Sequence, residues 1–269
     1  MELNIPKSRV FYQDKDFILI EGDSFKILKK MEEKSVDVIF ADPPYFLSNG
    51  GITVHSGKMV SVNKADWDKG LTSRDKLNFN RKWIRLCKSV LKDDGTIWIS
   101  GTMHNIYSVG VALEMEGFNV INNITWKKLN PPPNISTRAF THSTETILWA
   151  RKILPNGKKG KHHFNYNTCK QMNDGKQMKD VWEYSLTKPS EKKFGKHPTQ
   201  KPLDLLRRII ISSTKEDDLI LDPFNGSGTT GIAAVELKRK YIGIDFTKEY
   251  LELTEKRYNS LCKQINLDI

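Results

Sequence analysis

Cysteine is scarce in this 269-residue chain: Cys87, Cys169 and Cys262 stand far apart, with no CxxC pair. A disulfide framework and a thiolate zinc site are therefore not expected. His162 and His163 precede Cys169 closely enough to be imagined as metal ligands, but a solvated surface loop is the better reading, and no metal is expected. No run of eighteen apolar residues occurs, and the N-terminus lacks a basic-then-apolar leader. These absences argue against a membrane partner and for a cytoplasmic location. Internal repeats and low-complexity tracts are missing too. Acidic residues are in deficit, 32 against 43 lysines and arginines, for a net charge of +11.

That excess is uneven. Between Arg151 and Lys201 thirteen basic residues face four acidic ones, so +9 sits in one stretch. Phe164, Tyr166, Trp182, Tyr184 and Phe194 are interleaved with it. Positive charge mixed with flat side chains suits a polyanion with stackable bases, although a solvated basic surface has the same composition.

Around this stretch, apolar strands alternate with amphipathic helices, the pattern of an α/β domain with a largely parallel sheet. Strands are expected at Phe17–Glu21, Val36–Ala41, Thr96–Ser100, Phe118–Trp126, Thr144–Ala150, Leu219–Asp222 and Tyr241–Asp245. Helices are expected near Ser24–Glu32, Leu77–Leu91, Asn105–Glu116, Leu203–Ser213, Thr229–Lys238 and from Lys248 onward. The aromatic side of Leu77–Leu91 suits a core face better than a dimer face. The whole chain, 1–269, reads as one domain with an embedded insertion of loops and short elements at about 153–195.

Strand Leu219–Asp222 runs into Asp222-Pro223-Phe224-Asn225-Gly226-Ser227-Gly228-Thr229-Thr230-Gly231. Glycines between a strand and a helix permit a tight turn and close approach of a ligand to backbone amides. The next strand ends in Asp245, an acid placed to accept hydrogen bonds from ribose hydroxyls. A nicotinamide dinucleotide fits these glycines as well. Against it stand the four residues Asp-Pro-Phe-Asn between strand and first glycine, and the net charge.

Asp42-Pro43-Pro44-Tyr45 directly follows the apolar strand Val36–Ala41, the end of a parallel strand where α/β sheets place chemistry. Chance gives such a tetrad in roughly one chain per thousand of this length. An aspartate oxygen and a backbone carbonyl can hold the two hydrogens of an exocyclic amine such as adenine N6. That arrangement would aim the nitrogen lone pair at an electrophile. The prolines fix φ and remove donors, and Tyr45 supplies a flat face for a base drawn out of its stack.

With both motifs in hand, the chain resembles the β-class DNA amino-methyltransferases of restriction–modification systems. The tetrad, the basic insertion, KHPTQKP (196–202), DPFNGSGTT (222–230) and YIGID (241–245) follow one another in that family's order. The resemblance implies a circularly permuted S-adenosylmethionine-dependent methyltransferase fold, a seven-stranded, mostly parallel sheet with helices on both faces. It implies S-adenosylmethionine as cofactor, with Asp222, Phe224, Gly226, Ser227, Gly228 and Thr229 around it and Asp245 on its ribose. Thr199, Gln200 and Lys201 would lie near its methionine carboxylate. Asp23 matches a position near its adenine, and as a helix N-cap it has an equally good alternative role.

Aspartate at position 42 favours adenine N6, since related cytosine-N4 enzymes of the class usually carry serine there. The stretches FADPPYFLSNGG (40–51), WISGTMHNIYSVG (98–110), FTHSTETILWARK (140–152) and DGKQMKDVW (174–182) resemble the second methylase of GATC-specific, DpnII-type systems. That group implies DNA as partner, GATC as target, activity on single strands as well as duplex, and a cognate restriction endonuclease. A homodimer stays open. The extra C-terminal region of the cell-cycle GANTC methylases is not expected here, which argues against that subgroup. A cytosine-N4 or RNA methyltransferase and a catalytically silent DNA-binding module are the competing readings.

Within the insertion, Lys158, Lys159, Lys161, Lys192 and Lys193 are expected to grip phosphates. Arg138, Asn173, Lys176 and Gln177 are candidates to read base edges. The loop Ser48–Asp66 is expected to close over a flipped base.

Overall fold

The computed structural model describes residues 9–45, 52–55, 58–61, 72–135 and 138–267. In chain order the first half carries β1 (Val10–Gln13), β2 (Phe17–Glu21), α1 (Ser24–Leu28), β3 (Val36–Ala41), β4 (Ile52–His55) and β5 (Lys58–Ser61). There follow α2 (Ser73–Val90), β6 (Leu91–Gly101), α3 (Ile106–Met115), β7 (Phe118–Lys128) and β8 (Thr144–Lys152). The rest comprises α4 (Tyr166–Gln171), β9 (Val181–Tyr184), α5 (Leu203–Ser213), β10 (Leu219–Asp222), α6 (Thr229–Glu236), β11 (Lys240–Asp245) and α7 (Lys248–Leu267).

Strands β2, β3, β10 and β11 are short and continuously apolar because helices cover both of their faces. On one face, Ile27 and Leu28 of α1, Trp83, Ile84 and Cys87 of α2 and Val109 and Leu113 of α3 form a common core. On the other, Leu205 and Ile209 of α5, Ile232 of α6 and Leu251 and Tyr258 of α7 do the same. Trp83 is fully buried, so the aromatic side of α2 is core. A Thr72–Asp75 capping box starts that helix.

The main sheet has the order β1-β2-β11-β10-β3-β6-β8-β7-β9. Its inner seven strands, β2 to β7, are the expected set, parallel from β2 through β6 and closed by the antiparallel pairs β6–β8 and β8–β7. Among the described residues the expected strand number of seven is corrected to nine. β1 adds an antiparallel edge beside β2, and β9, supplied by the insertion, pairs in parallel with β7. Both are four-residue edges, partly exposed, whose pairing partner rather than their own pattern makes them strands. The glycine-loop strand β10 comes late in the chain yet lies beside β3 at the centre of the sheet, as a permuted order requires. No helix among the described residues is long and apolar enough to cross a membrane.

Candidate active site

β3 and β10 are parallel neighbours in the register Leu221↔Ile39, so the tetrad and the glycine loop leave the same edge of the sheet side by side. β6 flanks β3 on the other side with Ala41↔Ile99. Ser100 therefore projects beside Asp42. Its hydroxyl donates to Asp42 Oδ1 at 2.5 Å, and the Tyr45 hydroxyl donates to the same oxygen.

Asp42 Oδ2 is taken by Lys201, whose Nζ lies 2.6 Å away and also donates to the Tyr45 hydroxyl at 2.5 Å. Lys201 is 6% exposed, and Glu145 Oε2, at the start of β8, stands 3.7 Å from its Nζ. The other Glu145 oxygen pairs with Lys128 Nζ at 2.8 Å. Burial alone would lower the Lys201 pKa. The charges of Asp42, Tyr45 and Glu145 outweigh it and push Lys201 well above its ordinary value, so it stays cationic. Burial pushes the Tyr45 phenol up, with Asp42 adding to it, so Tyr45 stays protonated. The buried cluster thus pairs two acids with two lysines.

Behind the tetrad, Asn105 Nδ2 donates to the Pro44 carbonyl at 3.1 Å, and Asn80 Nδ2 donates to Asn105 Oδ1 at 2.7 Å. α2 and α3 therefore brace the Pro-Pro segment. Among the described residues no donor reaches the Pro43 carbonyl.

The glycine loop is built as a cradle. Gly226 and Gly228 hold φ of 51° and 70°, and a Cβ at Gly228 would collide with Thr254. Asp245 Oδ2 accepts from Gly226 N at 2.8 Å and Oδ1 from Thr247 N at 2.9 Å. Burial raises the Asp245 pKa. Asp222 accepts from Phe224 N and from the Thr230 hydroxyl, and burial pushes its carboxyl to about 7. Phe224 packs edge-on against Trp83. Ser227 and Thr229 turn inward: Arg257 donates to the Ser227 carbonyl and the Thr229 hydroxyl. Both residues are buried, Ser227 4% and Thr229 5% exposed. Asn225 is a structural anchor, bonded to Thr254 and Tyr241.

The segment 197–201 bridges the two motifs. His197 lies against Gly226, four residues before Lys201 reaches Asp42. Thr199 is half-buried beside His197, and Gln200 Oε1 is buried with no hydrogen-bond partner. A left-handed glycine turn, buried acids and an unsatisfied amide oxygen together fit a nucleoside ligand carrying an ammonium group. Lys201, expected near a ligand carboxylate, is held by Asp42 and Tyr45. Asp23 is the N-cap of α1, its carboxylate accepting from Phe25 N at 2.8 Å, and neighbouring Gly22 N bonds the Asp245 carbonyl.

The expected nucleic-acid contacts divide. Lys192 and Lys193 end a 3-10 turn whose Glu191 bonds Gln200 and Leu203, so they lie at the tetrad edge. Lys158, Lys159 and Lys161 do not. Gly160 sits against Asp93 and Lys152, at the opposite end of β6 and β8 from Ser100 and Glu145. Seven residues of strand separate Asp93 from Ser100, on the order of 20 Å, so these three expected phosphate contacts stand apart from the tetrad edge. Asn173 spends its amide nitrogen on the Lys176 and Gln177 carbonyls, closing its own turn. That nitrogen is thereby withdrawn from the base reading expected of it. Arg138, Lys176 and Gln177 are exposed. Of the loop 48–66, β4 and β5 form an antiparallel pair and the remainder lies outside the described residues. Among the described residues no His, Cys, Asp and Glu group could hold a metal.

Sequence reasoning missed Ser100, Glu145 and Lys128 at the tetrad. Each is carried there by strand order, and the WISG and STETILW runs show only apolar alternation.

The family N6_N4_Mtase, DNA methylase, matches residues 36–256. The Type II methyltransferase M2.LlaDCHI of Lactococcus lactis subsp. cremoris is 62% identical over 94% of this chain and 93% of its own. M2.DpnII of Streptococcus pneumoniae is 62% identical over 93% of this chain and 92% of its own. The crystal structure of the M1.HpyAVI–SAM complex covers 90% of this chain and 99% of its own, at 31% identity and a TM-score of 0.67. The cytosine-N4-specific PvuII DNA methyltransferase, 19% identical, covers 93% of this chain and 89% of its own with a TM-score of 0.74, and shows the shared fold. By sequence, this chain belongs to the N6_N4_Mtase DNA methylase family, among the methyltransferases of DpnII type.

Proposed function

We propose that this chain transfers the methyl group of S-adenosylmethionine to N6 of adenine in DNA. The observation that carries the reading is Asp42, fixed at the end of β3 beside the glycine loop, with the Pro43 carbonyl following it. S-adenosylmethionine supplies an electrophilic sulfonium methyl when bound. Gly226 and Gly228 give it backbone room beside Phe224 and Asp222, and Asp245 accepts from its ribose. The Gln200 amide oxygen receives its ammonium beside Thr199, and Asp23 lies at its adenine end.

Asp42 and the Pro43 carbonyl accept the two amino hydrogens of the target adenine, orienting the nitrogen lone pair for in-line attack. Tyr45 stacks on the base, which leaves the helix to reach it. Lys192, Lys193, Arg138, Lys176 and Gln177 lie on the DNA side, within the target-recognition insertion at about 153–195 or flanking it.

The target is GATC, in single strands as well as duplex, within a cytoplasmic restriction–modification system that includes a cognate endonuclease. Support comes from the DpnII-type relatives, 62% identical. A homodimer is tested by sedimentation. A cytosine-N4 enzyme is the second reading, left open by the N6_N4_Mtase family match and opposed by aspartate at position 42.

One experiment separates these. Methyl-labelled S-adenosylmethionine is offered with duplex and single-stranded DNA bearing GATC and GANTC sites, and with RNA, and the products are resolved as nucleosides. N6-methyladenine at GATC is the expected outcome; N4-methylcytosine, or label confined to RNA, overturns the reading. Asp42→Ala is expected to abolish transfer, a change that a silent DNA-binding module would not register.

A further inference from the structure

Asp42 accepts three donors, the Ser100 and Tyr45 hydroxyls at Oδ1 and the Lys201 ammonium at Oδ2 at 2.6 Å, so one Oδ2 lone pair remains. A target amino group can use only that remaining lone pair, on the same oxygen that the ammonium, the strongest of the three donors, already polarises and crowds. Glu145 Oε2, 3.7 Å from the same Nζ, is buried and has no hydrogen-bond partner. A buried carboxylate oxygen without a donor is costly, and a shift of about 1 Å by Nζ would bring it within hydrogen-bond distance. Glu145 itself is held in place by Lys128 at 2.8 Å.

We propose that Lys201 is a two-position gate on Asp42, resting on Asp42 Oδ2 and moving to Glu145 Oε2 when the target base enters. The proposal rests on the adenine-N6 reading, because it is the incoming amino group that takes the released oxygen. Glu145 is thereby a positioning residue. It draws the ammonium aside without touching the base, and the total charge of the cluster is the same in both positions. Lys201 stays cationic throughout, so the gate is driven by exchange of partners rather than by a proton. The lysine keeps an empty site charge-balanced, and the orphaned glutamate oxygen gives it somewhere to go.

The test is single-turnover methyl transfer to a GATC oligonucleotide at saturating S-adenosylmethionine and DNA. Thermal-shift titration with S-adenosylmethionine runs in parallel. Glu145→Gln keeps the shape but removes the attraction, leaving Lys201 on Asp42. Its rate is expected to fall about tenfold or more with cofactor affinity unchanged. Glu145→Asp restores the charge and is expected to recover part of the rate. In Glu145→Gln/Lys201→Met one charge of each sign is gone, so the cluster is again balanced, and the double variant is expected to match Lys201→Met alone. That comparison stands even if Glu145→Gln fails to fold.

A wild-type rate in Glu145→Gln overturns the gate, as does an equal loss in Glu145→Asp or a double variant slower than Lys201→Met. A wild-type protein that methylates no adenine overturns the adenine-N6 reading instead.

Discussion

Ser100 shows how much one hydroxyl contributes at the tetrad. Its hydrogen bond to Asp42 Oδ1 is made to an ionised acceptor in a nearly closed site, where such bonds contribute about 1.5–3 kcal/mol. Ser100→Ala is therefore expected to slow methyl transfer about ten- to hundredfold while leaving cofactor affinity intact, as single-turnover rates and titration will read. Asp222 makes a prediction in pH. Burial, assisted by the charges of Asp42 and Asp245, holds its carboxyl at about 7 against an ordinary 3.8. The folded protein thus binds this proton more tightly than the unfolded chain does. Its contribution to stability is complete below 3.8 and is lost as the pH climbs through about 7. Asp222→Asn mimics the protonated form, so its gain in melting temperature over the wild-type protein is expected to grow across that window and level off above it. A gain that is constant with pH would contradict the buried-acid argument.

Helices α2 and α3 form more than a wall of the core. Asn80, fully buried on α2, donates to Asn105 Oδ1 and to the Ser108 hydroxyl and accepts from Trp83 Nε1 at 3.1 Å. Asn105 in turn holds the Pro44 carbonyl. Asn80→Leu leaves those partners buried and unpaired, at a cost of about 1–3 kcal/mol for each unsatisfied group. Urea unfolding is expected to show that loss, accompanied by slower methyl transfer because the Pro-Pro segment loses its brace. The junction of β10 and α6 is sensitive for a different reason. Gly228 combines a φ of 70° with a Cβ position already filled by Thr254. Gly228→Ala is expected to lower the melting temperature and to abolish the thermal shift given by S-adenosylmethionine, since the cradle must open to admit the alanine side chain.

For the molecule as a whole, topology decides where the positive charge acts. Thirteen basic residues fall between 151 and 201, but β8 carries the chain from the tetrad edge to the far edge, and α4 and β9 lead it back. Lysines adjacent in sequence thus serve different ends of the sheet. Replacing Lys192 and Lys193 by Gln is expected to weaken DNA binding and to reduce the salt slope by about 0.9 for each phosphate that is no longer neutralised. The same change at Lys158 and Lys159 is expected to leave the slope unaltered. Fluorescence anisotropy across a salt series separates the two pairs, and equal slopes for both would contradict the edge assignment.

The amino-acid sequence by itself determined the elements that bury their own pattern. α5 and β10 begin and end where periodicity and apolar runs place them, at Leu203–Ser213 and Leu219–Asp222, because local burial and turn chemistry specify them. The tetrad and the glycine loop were legible for the same reason: each is a contiguous run whose residue types state their chemistry. Only the tertiary structure decided the rest. β1 and β9 are strands because a neighbour's backbone is there to pair with. Ser100 reaches Asp42, Glu145 reaches Lys201 and Lys128 reaches Glu145 because β6, β8 and β7 stand next in line at one edge of the sheet. Partners some 58 to 159 residues apart leave no local signal, since long-range pairing is fixed by the packing of whole elements.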